Sequence, residues 1–129
     1  MSTPVASHPV GGAFILNFID PTTGVAVLTG DLQGAVRGVI RTQNADAAGA
    51  LHLTLEHAIT LSSGDLLLTN DEATMTPLGD NLFLFRQRQT IVKGTGAWDG
   101  AAGELTEIGV VDMAKGQGVL RYSGRISHT

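Results

Sequence analysis

The sequence predicts an all-β protein, a single eight-stranded antiparallel up-and-down barrel. Three observations carry this. Apolar residues recur at every second position and not at helical spacing, turn residues interrupt them at short and fairly regular intervals, and seventeen glycines are spread along the 129 residues. Residues 12–19, 25–30, 32–42, 50–61, 65–76, 81–93, 103–112 and 117–127 read as strands, eight in all. Between them stand Asp20 to Gly24, Ser62-Ser63-Gly64, Pro77 to Asp80 and Met113 to Gly116, each with the Gly, Pro, Asp or Ser that tight reversals require. The longer connections are 43–49 and 94–102, and neither has linker composition. Residues 1–11 read as a flexible N-terminal tail, and 12–129 as the one barrel domain that a chain of this size accommodates.

Alternation assigns the faces, because successive strand residues point to opposite sides and the buried side stays mostly apolar. In the fourth segment Leu51, Leu53, Leu55, His57, Ile59 and Leu61 share the inner face, while His52, Thr54, Glu56 and Thr60 point outward. A three-residue turn at Ser62-Ser63-Gly64 then sets His57 across from Thr69 and diagonal to Asp71, an inward carboxylate. A three-residue turn at Leu78-Gly79-Asp80 pairs Glu72 with Arg86 and Asn70 with Arg88 outside. It also sets Leu67, Thr69, Asp71, Ala73 and Met75 opposite Ile91, Gln89, Gln87, Phe85 and Phe83 inside. In the last hairpin Glu104, Thr106, Ile108, Val110, Leu120, Tyr122 and Ile126 are expected inside, with Glu107, Arg121 and Arg125 outside.

Composition excludes several functions. A net charge of −4 and a pI near 5.4 oppose phosphate binding, which needs clustered Lys and Arg, so nucleic acid is not an expected partner. The absence of cysteine removes disulfides, thiolate nucleophiles and Cys-ligated zinc, and is compatible with a reducing, cytoplasmic setting. The first twelve residues lack the basic opening and apolar core of an export signal. No apolar run reaches the length of a membrane-spanning helix, so membrane insertion is not expected.

The inward set offers two candidate acid–base groups. His57, Asp71 and Gln87, with Gln89 nearby, could orient a substrate carbonyl or move a proton, or equally form a satisfied polar patch in the barrel wall. Glu104 and Tyr122, a carboxylate beside a phenol, form the second pair, or else a rim residue and a core-filling ring. His57, Asp71, Glu104 and Tyr122 are thus the candidate catalytic residues, and Leu55, Thr69, Phe83, Phe85, Gln87 and Gln89 the candidate ligand contacts. No metal site is expected, because His8 and His128 lie in the terminal segments and His52 faces away from His57. Gly94-Thr95-Gly96 lacks the following helix that a phosphate loop requires, and Ser62 and Ser63 occupy a turn rather than a nucleophile elbow. Small residues at inward positions, Gly34, Gly38, Thr69, Ala73 and Gly124, point to a cavity. Leu66, Leu68, Leu82 and Leu84 form an expected outer apolar patch bordered by Glu72, Arg86, Arg88 and Arg121, the interface of a homo-oligomer, dimer or trimer.

The run Val92 to Gly103, with Gly94-Thr95-Gly96, Trp98 and Gly103, followed by a strand, Val111-Asp112 and the run Gly116 to Gly124, resembles the allene oxide cyclase-like and dirigent-like barrel group. The match covers about the last forty residues, with Lys93 where that group often has a further glycine. The resemblance implies a calycin-like eight-stranded barrel, often trimeric, that shapes a reactive apolar intermediate without a cofactor. The group's catalytic motifs lie in its N-terminal half and have no match here. The expected function is therefore binding of a small apolar molecule, with cofactor-independent isomerisation or cyclisation as the catalytic version. A non-catalytic carrier and an oligomeric structural barrel are the alternatives.

Overall fold

The computed structural model describes residues 6–127. Eight antiparallel strands run β1 (His8–Asp20), β2 (Thr23–Gly30), β3 (Gly34–Ala45), β4 (Leu51–Leu61), β5 (Leu66–Gly79), β6 (Leu82–Gly94), β7 (Ala102–Asp112) and β8 (Gln117–Ser127). Each pairs with the next in sequence, and β8 pairs with β1 from Asn17↔Gln117 to His8↔Ile126, which closes the sheet into a barrel. Closure removes both sheet edges, so every strand has a ladder on either side. The first strand begins at His8 rather than residue 12, so residues 8–11 belong to the barrel and not to a tail; residues 1–5 and His128 lie outside the described residues.

The turns set the registers. Ser62-Ser63-Gly64 is the expected three-residue reversal, with Gly64 at φ +92° and Leu61 N donating to Asp65 O at 2.8 Å, and it pairs His57 with Thr69. The next hairpin turns on two residues, Asp80 and Asn81, both left-handed at φ 52° and 63°. This primed geometry matches the twist of the flanking strands. Together with an irregularity between Pro77 and Gly79, which takes up one residue, it shifts the ladder by two from the three-residue expectation: Glu72 opposes Arg88, with Arg88 Nη2 3.0 Å from Glu72 Oε2, while Arg86 opposes Thr74 and Asn70 opposes Thr90. Inside, Asp71 opposes Gln89, Ala73 opposes Gln87 and Met75 opposes Phe85. A shift of two leaves every side chain on its expected face.

The face of β7 is the reverse of the expected one. Leu105, Glu107 and Val111 are buried, whereas Glu104, Thr106, Ile108 and Val110 face solvent. The four-residue turn 113–116 pairs Asp112 with Gln117, and so Glu107 with Tyr122 and Gly109 with Leu120. Opposed residues share a face, and Leu120, Tyr122 and Ile126 point into the core, so β7 follows β8.

Leu28, Ile59, Leu67, Leu105, Val111 and Ile126 are the most completely buried apolar side chains of the core. The connection from β6 to β7 contains a short 3-10 turn (Gly96–Trp98) tied to the start of β5, where Thr95 N donates to Leu66 O at 3.0 Å and Leu66 N donates to Thr95 Oγ1 at 2.9 Å. Half-buried Trp98 packs against the core from this connection.

Candidate functional site

The barrel interior carries a belt of polar side chains between two apolar layers. Thr69, Asp71, Gln87, Gln89 and Glu107 are buried, and the His57 side chain retains 13% exposure. β4 supplies His57, β5 supplies Thr69 and Asp71, β6 supplies Gln87 and Gln89, and β7 supplies Glu107. His57 Nδ1 is hydrogen-bonded to Asp71 Oδ2, and Gln87 Nε2 donates to Glu107 Oε1 at 3.4 Å. Gly38, the cross-strand partner of His57, leaves the space in which the imidazole lies; a Cβ there would strike the ring.

Burial raises the Glu107 carboxyl to about 9, and the nearby Asp71 charge adds to the effect, while the Gln87 hydrogen bond opposes it. Glu107 is consequently a neutral acid at pH 7, able to donate a hydrogen bond. The Tyr122 hydroxyl donates to Thr29 O at 2.7 Å and accepts from Leu32 N at 3.0 Å, so the phenol stitches β8 to the end of β2 and to the β2–β3 connection. Burial pushes its proton affinity up further, opposed by the Leu32 N–H and supported by the Asp31 charge. The Tyr122 hydroxyl thus both donates and accepts within the barrel wall, and its cross-strand neighbour on β7 is Glu107 rather than the expected Glu104, which is exposed opposite Arg125.

Beside this belt lies an interior cavity of about 40 Å³. His57, Gln87 and Gln89 form its polar wall; Phe14, Leu55, Phe85 and Leu120 face them, and half-buried Leu16, Phe18, Ala26 and Ile40 continue toward the barrel end where β1 and β3 finish. Of the expected ligand contacts, Leu55, Phe85, Gln87 and Gln89 line the cavity, Thr69 is buried opposite His57, and Phe83 packs half-buried against the core away from it. The cavity is far smaller than the several hundred Å³ of pockets that enclose drug-sized ligands. The inward small residues do not leave open volume, because larger neighbours occupy it: His57 fills the space at Gly38, and Gly34 and Gly124 abut the backbone of the next strand.

Several buried atoms of the belt have no protein partner: Thr69 Oγ1, Asp71 Oδ1, Gln87 Oε1, both Gln89 Nε2 and Oε1, and Glu107 Oε2. Buried polar atoms normally pair, so this concentration of free donors and acceptors makes the belt the candidate site of the barrel.

No protein-family model matches this chain, and no curated protein matches it. Among solved structures it is similar to the pterocarpan synthase dirigent protein GePTS1, with 17% identity over 98% of this chain and 93% of that chain and a TM-score of 0.37. The closed eight-stranded antiparallel barrel is the architecture that the resemblance of the C-terminal third implied.

Proposed function

We propose that the barrel binds a small, largely apolar molecule end-on, with a hydroxyl group seated against Gln87 and Gln89. The free atoms of Gln89 carry the argument: its amide offers an unused donor and an unused acceptor on the wall of a cavity whose other walls are mostly apolar. A hydroxyl satisfies both at once, donating to Oε1 and accepting from Nε2, whereas an ether or ketone leaves the acceptor empty. At about 40 Å³ the cavity takes the polar end of the molecule alone, and Leu16, Phe18, Ala26 and Ile40 on its other walls favour an apolar group next to the hydroxyl. The His57–Asp71 pair beside this seat is an acid–base couple of the kind that moves protons without a cofactor. Isomerisation of the bound molecule is the finer form of the proposal.

Calorimetry with benzyl alcohol and toluene tests the binding. The account expects the wild type to prefer the alcohol and a Gln89→Leu variant to lose that preference. A wild type that does not distinguish the two contradicts it. For the finer form, a His57→Ala variant that converts a ligand recovered from cells at the wild-type rate removes the proton-transfer role.

The cavity volume itself favours a second reading, a filled barrel in which ordered water completes the belt, since a site of this size with several polar partners holds water well. In that case neither probe binds.

A further inference from the structure

The outer wall carries an apolar row that the interior site does not use. Val27 on β2 opposes Ile15 on β1, Ile15 opposes Val119 on β8, Val119 opposes Val110 on β7, and Val110 opposes Leu84 on β6. Five consecutive strands thus carry a continuous hydrophobic row that wraps about half of the closed barrel, with Val119 on β8 at its centre. Val27, Ile15, Val119 and Val110 are 55, 48, 57 and 45% exposed. The patch expected from Leu66, Leu68, Leu82 and Leu84 does not exist as one surface: Leu66 and Leu68 oppose Thr60 and Ala58 at one end of the sheet, whereas Leu84 and Leu82 lie at the other, opposite Val110 and Asp112. Only Leu84 joins the row.

Charge divides the two sides of this row. Two residues along each strand, about 7 Å away on one side, Arg86, Ile108 and Arg121 stand side by side on β6, β7 and β8. Among the described residues neither arginine makes an ion pair. At the same spacing on the other side, Leu82, Asp112 and Gln117 stand on the same three strands. The row therefore has a basic flank and a flank with a single carboxylate, at matching positions.

We infer that this face binds a second copy of the chain about a two-fold axis running along the apolar row. Because the row wraps half of the convex barrel wall, such an axis touches it at β7 and β8, where it lays Val110 and Val119 on their counterparts and reverses the strand direction, so the basic flank of one copy covers the Asp112 flank of the other. Asp112 then sits opposite Ile108 of the other copy, between Arg86 and Arg121. A two-fold axis along the strands would instead stack arginine on arginine, and like charges disfavour that arrangement. The carboxylate retains capacity for this role, because only its Oδ1 is used, by Ala114 N at 3.0 Å and Lys115 N at 3.2 Å. This face lies outside the barrel and is independent of the proposed ligand seat.

The chain has no cysteine, which makes cross-linking a clean test. Val119→Cys places a thiol on the axis, facing its own copy, whereas Val92→Cys is comparably exposed at 54% but lies off the row. Under mild oxidation the account expects Val119→Cys to form a covalent dimer rapidly and Val92→Cys to remain monomeric. Sedimentation of the wild type should show a dimer, and the double variant Arg86→Glu/Arg121→Glu should weaken it by at least tenfold. A wild type that is monomeric at high micromolar concentration, one that is trimeric, or equal cross-linking of the two cysteine variants would each overturn the inference.

Discussion

The imidazole of His57 occupies the volume that a side chain on Gly38 would need, so the hydrogen-bonded pair His57–Asp71 depends on a glycine one strand away. Adding one methyl at this position forces the ring to move within a packed wall. Gly38→Ala should lower stability by about 1–3 kcal/mol, the usual range for overpacking, as read from urea denaturation. The double variant Gly38→Ala/His57→Ala should recover most of that loss, since the two residues share one space. Independent, additive losses would show that the contact is unimportant.

Glu107 makes stability depend on pH. Its folded proton affinity, about 9, lies above the unfolded value of 4.5, so between these limits the folded state holds a proton that the unfolded chain has lost. The contribution is complete below pH 4.5 and declines as pH rises, by about 1.4 kcal/mol per unit at most. Glu107→Gln keeps the oxygen that Gln87 bonds and cannot ionise. This variant should be more stable than wild type at pH 8 and should flatten the fall in melting temperature between pH 6 and about 9. A wild-type profile identical to that of the variant contradicts the buried neutral acid.

Tyr122 should report on barrel closure. Tyr122→Phe retains the ring, which packs edge-on against Phe14 with centroids 5.2 Å apart, but leaves the buried Leu32 N–H without its acceptor. A loss of about 1–3 kcal/mol is expected, with faster amide hydrogen exchange at Leu32. Unchanged exchange there would mean that the phenol is not the partner of that amide.

The β5–β6 reversal should tolerate only residues that accept a left-handed backbone. Asn81, at φ 63°, should accept glycine without loss, whereas Asn81→Ile should cost about 1–2 kcal/mol in denaturant unfolding. Equal stability of the two variants would place the turn elsewhere.

Much of this barrel is readable from alternation alone. Leu53, Leu55, Ile59 and Leu61 are inside as expected, and the Ser62-Ser63-Gly64 turn correctly sets His57 opposite Thr69. β7 misleads because Ile108 and Val110 are apolar yet exposed, while the carboxylate beside Ile108 is buried. The available signal was the turn 113–116: counting through it pairs Glu107 with Tyr122 and turns Glu104 outward. Interior volume was less legible, because a glycine on an inner face reads as empty space until the neighbour that leans over it is known. At Gly12 a Cβ would strike Thr29 O and stand 2.7 Å from Tyr122 Oη, so this glycine leaves no open space either.

The unsatisfied amide of Gln89 is the proposed seat of a hydroxyl. Side-chain amide NMR of Gln89 during titration with benzyl alcohol, set against toluene, reads that seat directly. The account predicts that the two Nε2 proton signals shift and sharpen with the alcohol alone. Signals that stay unmoved by the alcohol, or that respond identically to toluene, would contradict it.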